Sequence, residues 1–225
     1  GNATVDACVA DLEDACASLE APVRAVLGHS FGGKVALAWA ARTSSPLEEV
    51  WVLDSPPGVR VPGEDPGGPM IARLLQVMAG LAQPAASRED VQEGLVRVGL
   101  APGTAAWLCT NLRWVPEVGG YTWRVDLGAI EALIEDYFAL DTWPMVTALH
   151  PRARVHLVRG GQSDRWAPAQ WARVEAHQSS GQIGVHWLEA AGHWLHVDDP
   201  GGLMGLLEKG GFFSGQASGP RMDGA

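Results

Sequence analysis

The sequence predicts an α/β protein built on a parallel sheet, and two observations lead to that prediction. Four short apolar runs have the length of strands and lie at 23–27, 50–53, 153–158 and 183–188. Longer stretches with apolar residues at helical spacing flank or separate them, and these lie at 3–19, 33–42, 168–178 and 200–207. The run at 50–53 is apolar throughout, which is typical of a strand buried on both faces of a parallel sheet.

The middle of the chain has a different character and predicts an inserted helical cap. Residues 56–69 are rich in proline and glycine, which indicates a linker that leaves the sheet. Helical patterns follow, with one short strand or extended link at 121–125, and the helices are expected at 70–80, 88–98, 103–112 and 128–140. We expect four regions: a first core segment at 1–58, the cap at 59–145, a second core segment at 146–210 and a flexible, glycine- and serine-rich tail at 211–225.

Composition and charge limit the classes of partner. The chain has 225 residues, of which 47% are hydrophobic and 19% charged, as in ordinary globular domains. The formal net charge of −10 argues against nucleic acid and anionic membrane surfaces, and no apolar run approaches the roughly 18 residues of a membrane span. The 3 cysteines lack metal-ligand spacing, so we expect a soluble, intracellular protein. A chloroplast or mitochondrial location and the oligomeric state stay open.

The first strand ends in Gly28-His29-Ser30-Phe31-Gly32, a G-x-S-x-G motif that a helical pattern follows directly. Strand, motif and helix in this order predict a sharp turn that presents the Ser30 hydroxyl as a nucleophile. We expect glycine at positions 28 and 32 because side chains there would collide with the neighbouring strand and helix. The backbone N–H of Phe31 is expected to donate to an oxyanion at the start of that helix.

A serine nucleophile needs a histidine base, which a carboxylate orients. Among the 7 histidines, His193 is favoured because it follows the last strand in a loop that can lean over Ser30; the alternative is a solvated loop histidine. Two acids compete, since Asp54 ends the second strand and Asp164 follows the third, at the edge where parallel sheets bind ligands. Asp54 could instead hold an Asx turn, and Asp164 could cap a helix. The sequence leaves both acids open, with Asp164 slightly ahead.

Aromatic side chains near these motifs are candidates for contact with a substrate. His29 lies inside the motif, Trp194 follows His193, and Trp123 lies in the predicted cap. The alternative for the tryptophans is packing, which is the more common role of a large aromatic residue.

Together these motifs resemble the α/β-hydrolase superfamily, and more closely the serine esterases grouped with α/β-hydrolase-domain protein eleven and its bacterial and plant relatives. The shared segments are GHSFGGKVAL at 28–37, DSP at 54–56, NL and WRVDL at 111–112 and 123–127, and AGHWLHVDDP at 191–200. The resemblance implies an α/β-hydrolase fold with a cap and hydrolysis of small or acyl-chain esters and thioesters. It also implies that no metal and no organic cofactor takes part. Ser30 and His193 match the family's nucleophile and base, while the acid varies and matches Asp54 in the bacterial esterases.

The sequence departs from that family before the nucleophile. One predicted helix precedes Ser30 where the family has four strands, so we expect an N-terminally incomplete sheet without the segment that supplies a second oxyanion donor. The leading hypothesis is a serine hydrolase that acts on a small-molecule ester or acyl substrate. The alternatives are an incomplete, non-catalytic module with the same fold and an acyltransferase on the same scaffold.

Overall fold

The chain forms two compact units, each of which is described here by itself. The computed structural model describes residues 3–60, 68–81 and 83–213. The larger unit comprises Thr4–Pro66 and Tyr137–Ala225, and the smaller comprises Gly67–Asp136 with the first three residues. The domain limits proposed from the sequence stay a prediction. Of the expected tail, residues 214–225 lie outside the described residues.

Helices and strands alternate over residues 5–53 and again over residues 143–198. The strands are β1 (Ala25–His29), β2 (Glu49–Leu53), β3 (Leu112–Val115), β4 (Gly120–Trp123), β5 (Arg154–Gly160) and β6 (Ile183–Leu188). The helices are α1 (Val5–Ala17), α2 (Phe31–Arg42), α3 (Gly68–Gly80), α4 (Arg88–Arg97), α5 (Pro102–Cys109), α6 (Leu127–Ala139), α7 (Trp143–Leu149), α8 (Pro168–Ser179), α9 (Leu195–Asp198) and α10 (Pro200–Gly210). Within the described ranges, none of these helices is long and apolar enough to cross a membrane.

The larger unit is organised around a parallel sheet with the strand order β1-β2-β5-β6. The alternating side chains of β2 divide between two clusters of buried residues. Val50 and Val52 belong to a cluster with residues of α1, α2 and α7, and Trp51 and Leu53 belong to one with residues of α9 and α10. All the strands are parallel, so their carboxyl ends meet at one edge. The α/β class and the parallel sheet predicted from the sequence are confirmed.

The smaller unit consists mainly of helices around its own apolar cluster. Its core includes Leu95 of α4, Leu108 of α5 and Trp123 of β4. The predicted helix at 103–112 is too long, because α5 ends at Cys109 and the chain turns into β3, which pairs with β4 in an antiparallel hairpin. The short strand considered at 121–125 is therefore present and has a partner that the sequence did not predict.

Two short helices of the larger unit were also missed. Helix α7 has a proline in its first turn and only seven residues, and α9 has four. Elements this short contain too few turns for a helical period to be recognised in the sequence.

Helix α2 carries a buried charge. Lys34 is inaccessible to solvent, and its Nζ donates to the carbonyl oxygens of Gly58, Tyr137 and Leu140 at 2.9, 2.8 and 2.6 Å. The three N–H donors of an ammonium group are thus matched by three carbonyls. These hydrogen bonds therefore connect the helix that follows Ser30 to two segments distant in sequence, one at Gly58 and one at 137–140.

Replacing Lys34 by Met should destabilise the larger unit without changing its fold. The substitution leaves three buried carbonyls without their donor, and we expect a loss of about 3 kcal/mol in the free energy of unfolding. Urea unfolding followed by circular dichroism measures this loss. The matched control is Lys209→Met, since Lys209 is exposed. Equal losses of stability in the two variants would contradict a stabilising role of the three Lys34 hydrogen bonds.

A partly buried polar cluster, centred on the buried His156, lies between neighbouring strands of the sheet. Nδ1 of His156 on β5 lies 2.8 Å from Nε2 of His186 on β6, and its Nε2 lies 2.7 Å from a carboxylate oxygen of Glu49 on β2. The His156 ring stacks on Trp51 at 4.0 Å. Burial, with His186 and Arg154 acting in the same direction, lowers the pKa of His156 to about 3. Burial also raises the pKa of Glu49, so the cluster favours uncharged side chains.

The low pKa of His156 predicts a loss of stability in mild acid. An unfolded imidazole has a pKa of about 6.5, so below that pH the unfolded chain binds a proton that the folded protein does not. Between pH 6.5 and 5 the free energy of unfolding should fall by about 2 kcal/mol from this residue.

Urea unfolding at several pH values in this interval tests the prediction. His156→Phe keeps the stacking on Trp51 and should make the acid-side decline shallower, whereas His150→Phe, at an exposed position, should leave it unchanged. Parallel pH profiles for the wild type and His156→Phe would show that another group causes the decline.

Candidate active site

Ser30 lies on a strained turn between β1 and α2. Its backbone angles are φ 53° and ψ −119°, a conformation that costs a non-glycine residue of order 1–3 kcal/mol. A Cβ at position 28 would lie 2.0 Å from the carbonyl oxygen of Gly32, so glycine is required there, as expected.

The steric expectation for position 32 was wrong. A Cβ at Gly32 would meet no described atom within 4 Å, whereas one at Gly33 would lie 2.6 Å from Cβ of Ser55. Gly32 contributes through its carbonyl group, which crowds Gly28, and Gly33 lets α2 approach the end of β2. The close packing at this turn therefore involves positions 28 and 33.

His193 connects Ser30 to a buried carboxylate. Its Nε2 lies 3.0 Å from Oγ of Ser30, and its Nδ1 lies 2.7 Å from Oδ2 of Asp54. Because a carboxylate only accepts, Nδ1 carries the proton and Nε2 is left to accept from the serine hydroxyl. The His193 side chain is 13% exposed and that of Asp54 is inaccessible.

The Asp54 carboxylate accepts hydrogen bonds from the last residue of β5 and from the loop after it, as well as from His193. Trp166 Nε1 donates to Oδ1 at 2.8 Å, the backbone N–H of Gly160 donates to Oδ1 at 3.3 Å, and the Ser163 hydroxyl donates to Oδ2. Burial favours the neutral acid, but the hydrogen bonds from His193, Ser163 and Trp166 outweigh it and lower the pKa of Asp54. The carboxylate is therefore held ionised in one orientation.

Asp164, the other candidate acid, has a different environment. Its carboxylate pairs with Nε of Arg165 at 3.2 Å and its side chain is 58% exposed. The structure thus brings Asp54 to His193, although Asp164 was slightly favoured from the sequence. Its neighbours Ser163 and Trp166 donate hydrogen bonds to Asp54. The sequence analysis did not predict that these two residues orient Asp54, because contacts across the sheet edge leave no periodic signal in the sequence.

Phe31 begins α2 directly behind Ser30. The first N–H groups of a helix have no carbonyl partner within it, and they carry partial positive charge that favours an anion. The Phe31 ring packs 5.6 Å from the ring of Tyr137. This arrangement is compatible with the expected oxyanion role of the Phe31 N–H.

Two of the three aromatic candidates for substrate contact lie beside His193. The ring of His29 lies 4.7 Å from that of His193, and Trp194, which is 46% exposed, lies 5.5 Å from His29. Trp123 is buried in the core of the smaller unit, where its Nε1 donates to the carbonyl of Met78 at 3.2 Å. For Trp123 the structure favours packing.

Curated relatives of the chain include proteins named as lipases. The chain is 26% identical over 204 residues to the sn-1-specific diacylglycerol lipase ABHD11 of Mus musculus, covering 90% of this chain and 64% of that protein. It is 28% identical over 175 residues to the protein of the same name from Xenopus tropicalis, covering 77% of this chain and 52% of that one. The chain thus spans between about half and two thirds of these relatives. The resemblance stated from the motifs is confirmed.

Solved structures share the fold. A marine microorganism esterase matches with a TM-score of 0.76 at 19% identity, covering 93% of this chain and 77% of that one. E-2-(acetamidomethylene)succinate hydrolase matches with a TM-score of 0.64 at 16% identity, covering 95% and 74%. A family profile described as Alpha/beta hydrolase family matches residues 1–204. The predicted α/β-hydrolase fold is therefore confirmed, and the chain belongs to the Alpha/beta hydrolase family.

Proposed function

We propose that this chain carries the catalytic centre of a serine hydrolase that cleaves carboxylic esters or thioesters through an acyl-enzyme. The observation that carries the proposal is the hydrogen-bonded series from Ser30 through His193 to Asp54, with both links at 3.0 Å or less. The sharp turn at Ser30 and the family membership of the chain support it.

In the first half of the reaction Ser30 acts as nucleophile and His193 as general base. Oγ attacks the carbonyl carbon of the ester as Nε2 takes the hydroxyl proton, and a tetrahedral oxyanion forms. Asp54 holds the imidazole in the required tautomer and stabilises the imidazolium. The Phe31 N–H donates to the oxyanion. Collapse of this intermediate breaks the bond to the leaving alkoxide or thiolate, which receives the proton from His193.

The second half of the reaction regenerates the serine. A water molecule gives a proton to His193 Nε2 and attacks the acyl carbon, and a second tetrahedral oxyanion forms in the same place. When it collapses, the carboxylic acid leaves and Ser30 Oγ recovers its proton from His193. Both halves use the same pair, Ser30 Oγ and His193 Nε2, which lie 3.0 Å apart.

The substrate class proposed is a small-molecule ester or acyl compound. Proteins similar to this chain are named as a diacylglycerol lipase, an esterase and a thioesterase domain, and enzymes of these kinds all cleave an ester or thioester bond. The assembled hydrogen-bonded series favours this proposal over the non-catalytic alternative. Since the chain spans part of its relatives' length, activity of the chain by itself is the first property to measure.

Labelling with a fluorophosphonate tests the nucleophile. This reagent phosphonylates a serine only where a base activates it, so we expect a single adduct on Ser30, located by peptide mass spectrometry. Ser30→Ala should abolish both the adduct and ester hydrolysis while leaving the circular dichroism spectrum unchanged. Ser44→Ala, at an exposed loop position, is the matched control. A folded wild-type chain that takes up no label would contradict the proposal.

The two candidate acids are distinguished by matched amide substitutions. Asp54→Asn should lower kcat by about 10³- to 10⁴-fold, because the amide favours the wrong tautomer of the base. Asp164→Asn removes a half-exposed carboxylate and should change kcat by less than about 2-fold, as expected for a surface pair. Steady-state hydrolysis of a p-nitrophenyl ester measures both. A large loss in Asp164→Asn with an active Asp54→Asn would assign the acid to Asp164.

A further inference from the structure

His29 links the strand that carries the nucleophile to the loop that carries the base. It is the last residue of β1 and immediately precedes Ser30. Its Nε2 lies 2.7 Å from the main-chain carbonyl oxygen of His193, a residue 164 positions away in the sequence. The carbonyl can only accept, so Nε2 of His29 carries a proton and donates.

The loop that holds His193 is also hydrogen-bonded to two other segments of the chain. The backbone N–H of Gly192 donates to the Asp198 carboxylate at 2.8 Å, which ties the loop to α9. The backbone N–H of Gln162 donates to the carbonyl of Ala191 at 3.0 Å, which ties it to the segment after β5. The His29 bond adds a connection to β1, the strand from which Ser30 projects.

We propose that His29 is a positioning residue, which holds the backbone of His193 at the distance from Ser30 that proton transfer requires. This inference rests on the proposed function. The hydrogen bond from His29 to the carbonyl of His193 fixes the backbone from which the imidazole projects, whereas Asp54 fixes the ring through Nδ1. Two anchors on one residue, from β1 and β2, restrict both the place and the orientation of the ring.

The protonation state of His29 suits this role. Burial lowers its pKa, although the hydrogen bond to the carbonyl of His193 acts in the opposite direction. A neutral ring with its proton on Nε2 keeps the donor and places no full positive charge 4.7 Å from the His193 ring. A cation there would disfavour the imidazolium that forms on His193 during the reaction.

A positioning role for His29 and a substrate-binding role have different kinetic consequences. A residue that binds substrate raises KM when it is removed, whereas a residue that positions the base lowers kcat. His29→Phe keeps an aromatic ring and removes the donor. His29→Gln keeps an N–H at a similar reach and serves as the conservative variant. His177→Phe, in the last turn of α8, is the matched control.

Steady-state hydrolysis of a p-nitrophenyl ester by these variants is the first measurement. We expect His29→Phe to lower kcat by about 10- to 100-fold with KM within about 3-fold, because a small displacement of a catalytic group has effects of this size. His29→Gln should recover most of the loss. A raised KM with normal kcat would overturn the proposal in favour of substrate contact, and unchanged kinetics would overturn it outright.

A second measurement does not depend on activity. The Nδ1 proton of His193, held by Asp54, should give a strongly downfield proton resonance, assigned by its loss in His193→Gln. In His29→Phe this resonance should broaden or shift, and in His29→Gln it should have the same position and width as in the wild type. An identical resonance in wild type and His29→Phe would overturn the positioning role even if the chain hydrolysed no ester. The proposed function has a separate test, since it is overturned when fluorophosphonate does not label Ser30 in the folded chain.

Discussion

The buried carboxylate of Asp54 is the interaction on which the candidate site depends. It follows the central strand β2 with a positive φ of 46°, which turns it towards the loops beyond the sheet. Donors from two parts of the chain converge on its two oxygens, namely Trp166 and Ser163 after β5 and His193 after β6. An ionised group this deeply buried is tolerable only when its hydrogen-bonding capacity is filled. The same bonds that stabilise it therefore fix these segments relative to one another.

The sheet makes this convergence possible. Parallel register brings the last residues of β1 and β2 side by side, with His29 opposite Leu53, and the N–H of Ser30 donates to the carbonyl of Leu53 at 2.9 Å. Ser30 and Asp54 are also the non-glycine residues with positive φ within the described chain. Conformations of this kind persist only where the surroundings over-determine them, and here α2, anchored by Lys34, supplies part of that constraint.

Local patterns in the sequence were sufficient for the sheet and for the sharp turn at Ser30, because strand runs and helix starts have short-range causes. The close contact that was expected at Gly32 is made by Gly33 against Ser55, a residue from another part of the chain. Local patterns were not sufficient to identify which aspartate contacts His193. Asp54 and Asp164 both follow a strand at the same edge, and the difference between them lies in contacts across the edge, above all the reach of the Trp166 indole. The hairpin partner β3 was missed because its four residues are recognised as a strand only through their pairing with β4. Helices α7 and α9 were missed because they are too short to show a helical period.

The residues of the candidate site all belong to one compact unit. Ser30, His29 and Asp54 come from its first segment, and Ser163, Trp166 and His193 come from its second. Every hydrogen bond that orients His193 is therefore internal to the larger unit and depends on the register of β1, β2 and β5. The placement of His193 beside Ser30 is therefore a property of the sheet edge itself, because His29 and Asp54 are hydrogen-bonded to His193 from the ends of adjacent strands. A histidine on a loop can thus have a fixed position even where the loop itself is not rigid. Its backbone and its ring are each hydrogen-bonded to a residue at the end of a strand.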